Sequence, residues 1–355
     1  MRIIKLREKM QKQGLDGMLI TDPQNRRYLS GFTGSTATLL VTAEQQFIMV
    51  DFRYFERAER ESPQWAQVRV TGKTSEALAD MVRLSGARQL GFEADHVTVA
   101  QWEEMRGVVG GVELAPTKQF VLPMRAIKDE GEVAAIQAAI ACSDAAFARL
   151  CQVIRPGMTE IEVAWTLESY MRQHGASELA FPTIVGAGPN GAMPHATSSE
   201  RPIRAGEPIV MDFGATVDGY RSDITRTICL GKPEDAHYLE IWNLVLQAQQ
   251  AAETHIKPGM TGQQADAVAR DLFVTDGYGE QFGHGLGHGV GLNIHEGPRL
   301  GKLADEDVLQ PGMVFTIEPG LYLPGWGGVR IEDVVLLRED GCEVLTGAVK
   351  EPVLE

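Results

Sequence analysis

A repeated pattern in the second half of the 355-residue chain constrains its fold more than any other sequence feature. The segment IRPGMT (154–159) recurs as IKPGMT (256–261), and a helical stretch follows each copy. Further along, RAGEPIVMDFGA (204–215) aligns with QPGMVFTIEPG (310–320). Chance produces single short matches, but several in the same order favour a duplicated α/β unit over coincidence.

The aligned segments carry acidic residues at matching positions. The second match sets Asp212 over Glu318. A further match, of GYRSD with GVRIE, sets Asp223 over Glu332. Each half of the duplicated unit is therefore predicted to supply two carboxylates.

The first pair of carboxylates is predicted to converge on one face of a hairpin. Asp218-Gly219 between two β-like runs is a signal for a two-residue turn. Counting back from that turn, Asp212 faces Thr225. Asp223 is a diagonal neighbour of Asp212 on the same face, and the Cα atoms of the two aspartates are expected to lie about 7–8 Å apart. An unpaired buried carboxylate is costly, and Thr225 offers no positive charge. The pair therefore favours a bound cation.

The second copy repeats this arrangement around Glu318 and Glu332. Arg330 shares the strand parity of Glu332, and we expect its guanidinium to orient a ligating carboxylate from behind. Because like charges converge from both halves, the four carboxylates favour more than one bound cation.

The stretch GHGLGHGVGLNIHE (283–296) concentrates three of the chain's eight histidines among five glycines. A metal-binding helix through His284 and His288 is one interpretation, but each glycine costs a helix roughly 0.8–1 kcal/mol. Alternation favours one strand, with His and aliphatic side chains on one face and a bare glycine face open to close backbone approach. His288 is then the predicted nitrogen ligand. These mostly hard donors predict Mn²⁺, and Zn²⁺, Co²⁺ and Fe²⁺ are compatible with them.

A second glycine-rich stretch, GAGPNG (186–191), follows a strand-like run and precedes Asp212 by about twenty residues, as in a dinucleotide-binding fingerprint. That fingerprint requires a helix directly after the glycines, and Pro189 and Pro194 oppose one. We expect a loop that leads to His195. The remaining histidines are expected to be structural or on the surface: His96, His174, His237 and His255.

Composition narrows the classes of function. A net charge of −15 argues against a nucleic-acid partner, because binding to nucleic acid uses clustered Lys and Arg. The four cysteines form no Cys-x-x-Cys pair and are expected to be reduced. No apolar run approaches the roughly 18 residues of a membrane span, and the N-terminus is an amphipathic helix unlike a signal peptide. The sequence predicts a cytoplasmic protein without a membrane partner.

Residues 1–122 alternate between helical and strand patterns, which predicts an α/β domain. Strands are expected at 17–21, 37–42, 46–52 and 90–95, and a helix at 74–86. The segment VLPMRAIKDEGEV then carries proline and charge and opens a long Ala-rich helix near 130–154. We place the boundary there, which gives domains 1–122 and 123–355.

The blocks MDFGATVDGYRSDITRT, GHGLGHGVGLNIHE, TIEPGLY and GGVRIED, in this order, resemble the metal-binding blocks of the pita-bread metallopeptidases. That family includes aminopeptidase P, prolidase and methionine aminopeptidase. The similarity runs from about residue 125 to the C-terminus. The first 122 residues resemble a creatinase/prolidase-type N-terminal domain, with GFTGS (31–35) and DFRY (51–54) as landmarks. The implied fold is α/β (α+β), a creatinase-like α/β domain followed by a pseudo-twofold, duplicated pita-bread catalytic domain.

The resemblance also implies roles for individual residues. Asp223 and Glu332 would be shared between two divalent metal ions. The full set of implied metal ligands is Asp212, Asp223, His288, Glu318 and Glu332. The implied catalytic groups are Glu318, His195 and His295, and the implied substrate-binding groups are His284, His195, His295, Arg330 and Tyr322.

The implied activity is hydrolysis of the peptide bond before proline by a metal-activated bridging water. An Xaa-Pro aminopeptidase is the favoured interpretation, and an Xaa-Pro dipeptidase (prolidase) is the alternative. Arg299 is equally consistent with binding a dipeptide carboxylate and with a surface position. A creatinase-like non-peptidase or an inactive binding module is disfavoured, because all five ligands are retained. The resemblance further implies a homodimer that acts on proline-containing peptides.

Overall fold

The computed structural model describes residues 1–355, which divide into two compact units, Met1–Arg125 and Ala126–Glu355. The division falls a few residues after the boundary expected from the sequence, because the short helix Leu122–Arg125 belongs to the first unit.

The first unit is built on one six-stranded sheet. Its strands are β1 (Gly17–Ile20), β2 (Thr38–Thr42), β3 (Gln46–Asp51), β4 (Ala66–Val70), β5 (Gln89–Glu93) and β6 (Glu113–Thr117). Its helices are α1 (Arg2–Lys12), α2 (Pro23–Ser30), α3 (Phe55–Glu61), α4 (Thr74–Ser85), α5 (Val99–Val108) and α6 (Leu122–Arg125), with a 3-10 turn at Phe52–Tyr54.

The sheet of the first unit has the order β4-β3-β2-β1-β5-β6. Strand β2 is antiparallel to both neighbours, and all other neighbouring pairs are parallel. The four predicted strands and the predicted helix are present. The two edge strands, β4 and β6, were not predicted, because their residues are mostly half-buried or exposed and they lack the apolar runs of the central strands.

The second unit consists of two consecutive halves, each with two helices and an antiparallel sheet. The first half contains α7 (Glu130–Leu150), α8 (Glu160–Gln173), β7 (Glu178–Leu179), β8 (Ile184–Ala187), a 3-10 helix (Gly188–Ala192), β9 (Pro208–Phe213), β10 (Ala215–Val217), β11 (Tyr220–Arg221) and β12 (Ile224–Leu230). The second half contains α9 (His237–His255), α10 (Gly262–Thr275), β13 (Gly287–Gly289), β14 (Glu296–Leu300), β15 (Val314–Ile317), β16 (Gly320–Leu323), β17 (Gly327–Arg330), β18 (Asp333–Arg338) and β19 (Gly341–Val344), followed by β20 (Val353–Leu354).

Two main sheets organise the second unit, in the orders β20-β12-β9-β8 and β14-β13-β15-β18-β19. All pairs in them are antiparallel except β12 with β20, which is parallel. Two smaller sheets, β11-β10-β7 and β16-β17, contain the hairpins that lie between the two acidic residues of each half. Strand β20 returns the end of the chain to the sheet of the first half.

The two halves share details that support the predicted duplication. Thr159 and Thr261 cap α8 and α10, each within a capping box. Two residues earlier, Gly157 and Gly259 have φ of 92° and 88°, which explains why the repeated motif carries glycine there. Each of these glycines donates its N–H to a loop carbonyl at 2.8 Å. The internal duplication predicted from the sequence is confirmed.

Each half of the second unit has its own hydrophobic core, one around α7 and α8 and the other around α9 and α10. By length and composition alone, α7 is long and apolar enough to cross a membrane, which was not recognised from the sequence. Nine of its residues are buried, and four of them join the core that also holds α8: Cys142, Ala146, Phe147 and Leu150. This packing is that of a core helix.

Candidate metal centre and catalytic cavity

The first pair of acidic residues is placed by the ladder between β9 and β12. Asp218 and Gly219 form the turn, with φ of 46° and 71°, as a type I′ turn requires. Thr225 pairs with Asp212, as the counting from the turn predicted. Asp223 directly precedes β12, and its carboxylate lines the same cavity as that of Asp212.

The second pair comes from the corresponding position in the second half. Glu318 directly follows β15, and Glu332 lies between β17 and β18. The backbone N–H of Glu332 donates to the carbonyl of Thr225 at 3.1 Å, which joins the second half to the first beside the cavity. All four carboxylates line a single cavity of about 520 Å³.

The histidine segment forms one short strand, so the long strand predicted for it is wrong. Only Gly287–Gly289 is β-strand, and its ladder with β14 shifts register directly after His288. The prediction of a bare glycine face is confirmed, because a Cβ on Gly287 would lie 2.0 Å from the carbonyl oxygen of Thr316. His284 and His288 nevertheless line the same cavity.

The five residues expected to ligate metal lie together. His288 Nε2 is 3.5 Å from Asp223 Oδ2 and 3.4 Å from Glu318 Oε1. Ligand atoms of Asp223, His288 and Glu332 all lie within 4.8 Å of one another. Asp212 completes the set as a further lining residue of the same cavity.

Burial raises the pKa of all four carboxyl groups. For Asp223 and Glu332 the pKa is raised well above its ordinary value, first by burial and then by the neighbouring carboxylates. Burial also raises the pKa of Asp212, and that of Glu318 to about 7, although Arg330 opposes the shift in both. So much negative charge with one guanidinium favours bound cations.

The available donors fit divalent metal ions. Asp212 Oδ1 is buried without a hydrogen-bond partner, a cost that a cation would remove. Burial, and then the adjacent His295, lower the pKa of His288 to about 3, which keeps its imidazole in the neutral form that ligates metals. His288 Nδ1 lies 3.2 Å from the carbonyl of Gly289 and donates to it, so Nε2 is free to ligate. Carboxylate oxygens with one imidazole nitrogen suit Mn²⁺ and related ions.

Arg330 holds Asp212 from the opposite half. Its Nη2 donates to Asp212 Oδ2 at 2.6 Å, and its Nη1 donates to the Tyr322 hydroxyl at 2.7 Å. The Tyr322 hydroxyl lies 2.9 Å from His284 Nε2, and His284 Nδ1 lies 2.7 Å from the carbonyl of Gly285. Because Nδ1–H donates to that carbonyl, the Tyr322 hydroxyl donates to Nε2, and burial lowers the pKa of His284 to about 4. Arg330 therefore occupies the orienting position expected for it.

Some of the residues predicted to bind substrate line the cavity, and one lies behind its wall. His195 and His295 are exposed and line the cavity, and the His295 ring centroid is 4.2 Å from that of His288. Burial, with His195 adding to it, lowers the pKa of His295. Tyr322 does not line the cavity, because it is buried behind Arg330 and His284.

Several residues of the site were missed by sequence reasoning. The hydroxyls of Thr225 and Thr316 lie 2.6 Å from Glu332 and 3.2 Å from Glu318, where each can donate to the carboxylate. Thr225 could have been found, because counting from the turn placed it on the face that carries Asp212. The apolar lining residues Phe181 and Ile294 gave no comparable signal.

Other sequence candidates lie outside the cavity. The 3-10 helix Gly188–Ala192 follows β8 where a dinucleotide-binding fingerprint requires an α-helix. Arg299 is 70% exposed and pairs with Asp307 at 3.0 Å, which favours the surface alternative. The four histidines expected to be structural contact nearby carbonyls or carboxylates away from the cavity: His96, His174, His237 and His255.

Comparison with known families agrees with this geometry. Residues 134–339 match the model of metallopeptidase family M24, and residues 2–127 match the creatinase/prolidase N-terminal domain. The chain belongs to metallopeptidase family M24, and the pita-bread fold expected from the sequence is confirmed.

Particular relatives match over nearly the whole chain. The structure of an Xaa-Pro dipeptidase from Bacillus anthracis has a TM-score of 0.96 and 41% identity, covering 99% of this chain and 98% of the other. An X-Pro aminopeptidase from Thermotoga maritima MSB8 has a TM-score of 0.93 and 38% identity, covering 99% and 100%. By sequence, an Xaa-Pro dipeptidase of Pyrococcus horikoshii is 37% identical over 352 residues, covering 99% of this chain and 98% of the relative.

Proposed function

We propose that this protein is an Xaa-Pro dipeptidase, a metallopeptidase that hydrolyses dipeptides whose second residue is proline. The observation that carries the proposal is the gathering of four carboxylates and His288 in one cavity of an M24 fold. The sequence favoured an aminopeptidase, but the names of the relatives from Bacillus anthracis and Pyrococcus horikoshii support the dipeptidase better. The Thermotoga maritima relative keeps the aminopeptidase as a second candidate.

We propose two divalent metal ions, with Mn²⁺ as the preferred ion, held by Asp212, Asp223, His288, Glu318 and Glu332. When bound, such ions lower the pKa of a water molecule and polarise the scissile carbonyl. Neutral His288 offers Nε2, and the carboxylates offer oxygens that would otherwise repel one another.

The chain's own residues do the remaining work in this proposal. Glu318 accepts and returns a proton, since its carboxylate faces the cavity and Thr316 holds its Oε1. His195 and His295, at the exposed side of the cavity, donate hydrogen bonds to the oxygen of the scissile carbonyl. Phe181 and Ile294 provide apolar wall for the proline ring and exclude water.

The assembly and location implied by the resemblance belong to the same proposal. We expect a homodimer in the cytoplasm. Sedimentation of the purified protein at working concentration measures the assembly, and a monomer there would contradict it.

Product analysis on Ala-Pro and on a longer peptide that begins Ala-Pro tests the choice of activity. With Mn²⁺ added, the dipeptide should be cleaved. The longer peptide should react at no more than about one hundredth of that rate, because a dipeptidase recognises the free carboxylate of the proline. Comparable cleavage of both peptides would establish the aminopeptidase instead. Cleavage of neither, with metal bound, would refute both activities.

Matched variants show whether cleavage depends on the cavity. Asp223→Asn should abolish hydrolysis while leaving the fold intact. Asp271→Asn removes a carboxylate on the exposed side of α10 and should hydrolyse as the unmodified protein does. Full activity of the first variant would remove Asp223 from the metal site.

A further inference from the structure

The last residues of the chain, the C-terminal segment (residues 345–355), are tied to both halves of the second unit. The Asp144 carboxylate in α7 accepts hydrogen bonds from the N–H groups of Gly347 and Ala348, at 2.7 and 3.1 Å. Strand β20 then pairs with β12, and the Tyr238 hydroxyl in α9 donates to the carbonyl of Pro352 at 2.7 Å. The segment therefore contacts α7 and β12 of the first half and α9 of the second.

One buried arginine links this segment to the metal centre. Arg226 is 2% exposed and donates to the carbonyl of Glu332 at 2.6 Å and to Asp333 Oδ1 at 2.7 Å. It also donates to the carbonyl of Ala348 in the C-terminal segment at 2.7 Å. The preceding residue, Thr225, donates its hydroxyl to Glu332 Oε2 at 2.6 Å. The backbone and the carboxylate of Glu332 are thus both held by adjacent residues of β12.

Lys350 is a further partner of the Asp333 carboxylate. Its Nζ lies 2.5 Å from Asp333 Oδ2, 2.8 Å from Gln249 Oε1 and 3.3 Å from Glu253 Oε1. Gln249 Nε2 donates to Asp333 Oδ2 at 2.8 Å, so that oxygen receives two donors. The Asp333 side chain is fully buried, and burial would raise its pKa, but Arg226 and Lys350 hold it below its ordinary value. Without Lys350, a buried carboxylate next to Glu332 would lose one of its two cations.

We propose that Lys350 is a positioning residue for the metal centre, which fixes Glu332 through Asp333 and thereby sets its spacing to the carboxylates of the other half. Lys350 does not line the cavity, so it contacts neither substrate nor metal. Its effect passes through the peptide that joins Glu332 to Asp333. The inference rests on the metal site of the proposed function and is independent of which peptide is cleaved.

Metal affinity measured on the purified full-length chain tests this role. Groups that orient metal ligands typically change metal affinity by about 10–100-fold when they are replaced. Lys350→Met should therefore weaken Mn²⁺ binding by about that factor in chelator competition. It should also alter the visible absorption spectrum of the Co²⁺-loaded protein, which reports ligand geometry. Lys350→Arg, which keeps the charge, should restore both readouts.

Two further variants separate positioning from stability. Lys257→Met removes a lysine whose Nζ donates to the carbonyl of Asp340 on the surface, and it should leave affinity and spectrum unchanged. Gln249→Leu removes the second donor to Asp333 without a change of charge, and should weaken binding in the same direction. If Lys350→Met does not fold, metal binding by Gln249→Leu provides the test of the positioning role.

The outcomes distinguish this inference from the proposed function. Unchanged affinity and spectrum in Lys350→Met, or in Gln249→Leu if the former does not fold, would overturn the inference, as would an equal loss in Lys257→Met. If Lys350→Met weakens Mn²⁺ binding and Lys257→Met does not, but the protein hydrolyses no Xaa-Pro peptide, the inference stands and the proposed function is refuted. A chain that binds no divalent ion would refute both.

Discussion

Replacing Lys128 by methionine should destabilise the second unit, because it removes the positive charge of a buried ion pair. Lys128 Nζ lies 2.9 Å from Glu296 Oε1, and both side chains are 1% exposed. Removing one partner of such a pair typically costs about 3–5 kcal/mol, since the other charge stays buried without its counter-charge. At about 2–4 °C per kcal/mol for a domain of this size, the thermal midpoint should fall by about 6–20 °C. Urea unfolding followed by circular dichroism measures the free energy directly.

A double variant and a surface pair make this prediction specific. Lys128→Met combined with Glu296→Met should recover most of the loss, because apolar residues can replace a buried pair at little cost. Arg338→Met breaks the exposed pair with Glu343 and should cost less than about 1 kcal/mol. If Lys128→Met alone lost less than about 1 kcal/mol, the account of this pair as an obligatory buried contact would be refuted.

Two other variants test the site and the network beside it. His295→Ala should lower kcat by about 100-fold while leaving the metal bound per chain unchanged, because His295 is placed against the substrate and is not a ligand; parallel loss of metal would contradict this. Glu253→Gln should flatten the pH dependence of stability. Burial, opposed by Lys350, raises the pKa of Glu253 to about 7. The folded chain therefore holds a proton that the unfolded chain releases near pH 4.3, and stability falls as pH rises between these values. Thermal midpoints at pH 5 and pH 7.5 measure the difference, and an unchanged slope would contradict the assignment.

The carboxylate pair Asp212 and Asp223 could be placed from the sequence because only local rules were needed. A two-residue turn fixes the register of a hairpin, and side chains alternate with a period of two along each strand. The observed pairing of Asp212 with Thr225 follows from those two rules. The same reasoning applied to the second copy, because the repeat supplied the alignment.

The length of the histidine strand and the buried charge pairs could not be placed in this way. Strand β13 ends where its ladder with β14 changes register after His288, and alternation in the sequence carries no record of a neighbouring strand. Lys128 and Glu296 are 168 residues apart, and nothing local to either distinguishes it from a surface charge. Tyr322 was assigned to substrate for a related reason, since the sequence could not show that Arg330 and His284 lie between it and the cavity.

The duplicated halves match in their acidic residues but differ at the strand position that His288 occupies in the second half. In the first half, Gly186 pairs with Val210. The repeat aligns Val210 with Thr316, whose hydroxyl accepts the N–H of His288 at 3.1 Å in the second half. Gly186 thus occupies the place equivalent to His288, and a Cβ there would lie 3.1 Å from the backbone of the 3-10 helix that leads to the loop of His195. Because the first half has no histidine at the strand position equivalent to His288, two ions bound in this cavity would have unequal surroundings, and an ion beside His288 would have mixed oxygen and nitrogen ligands.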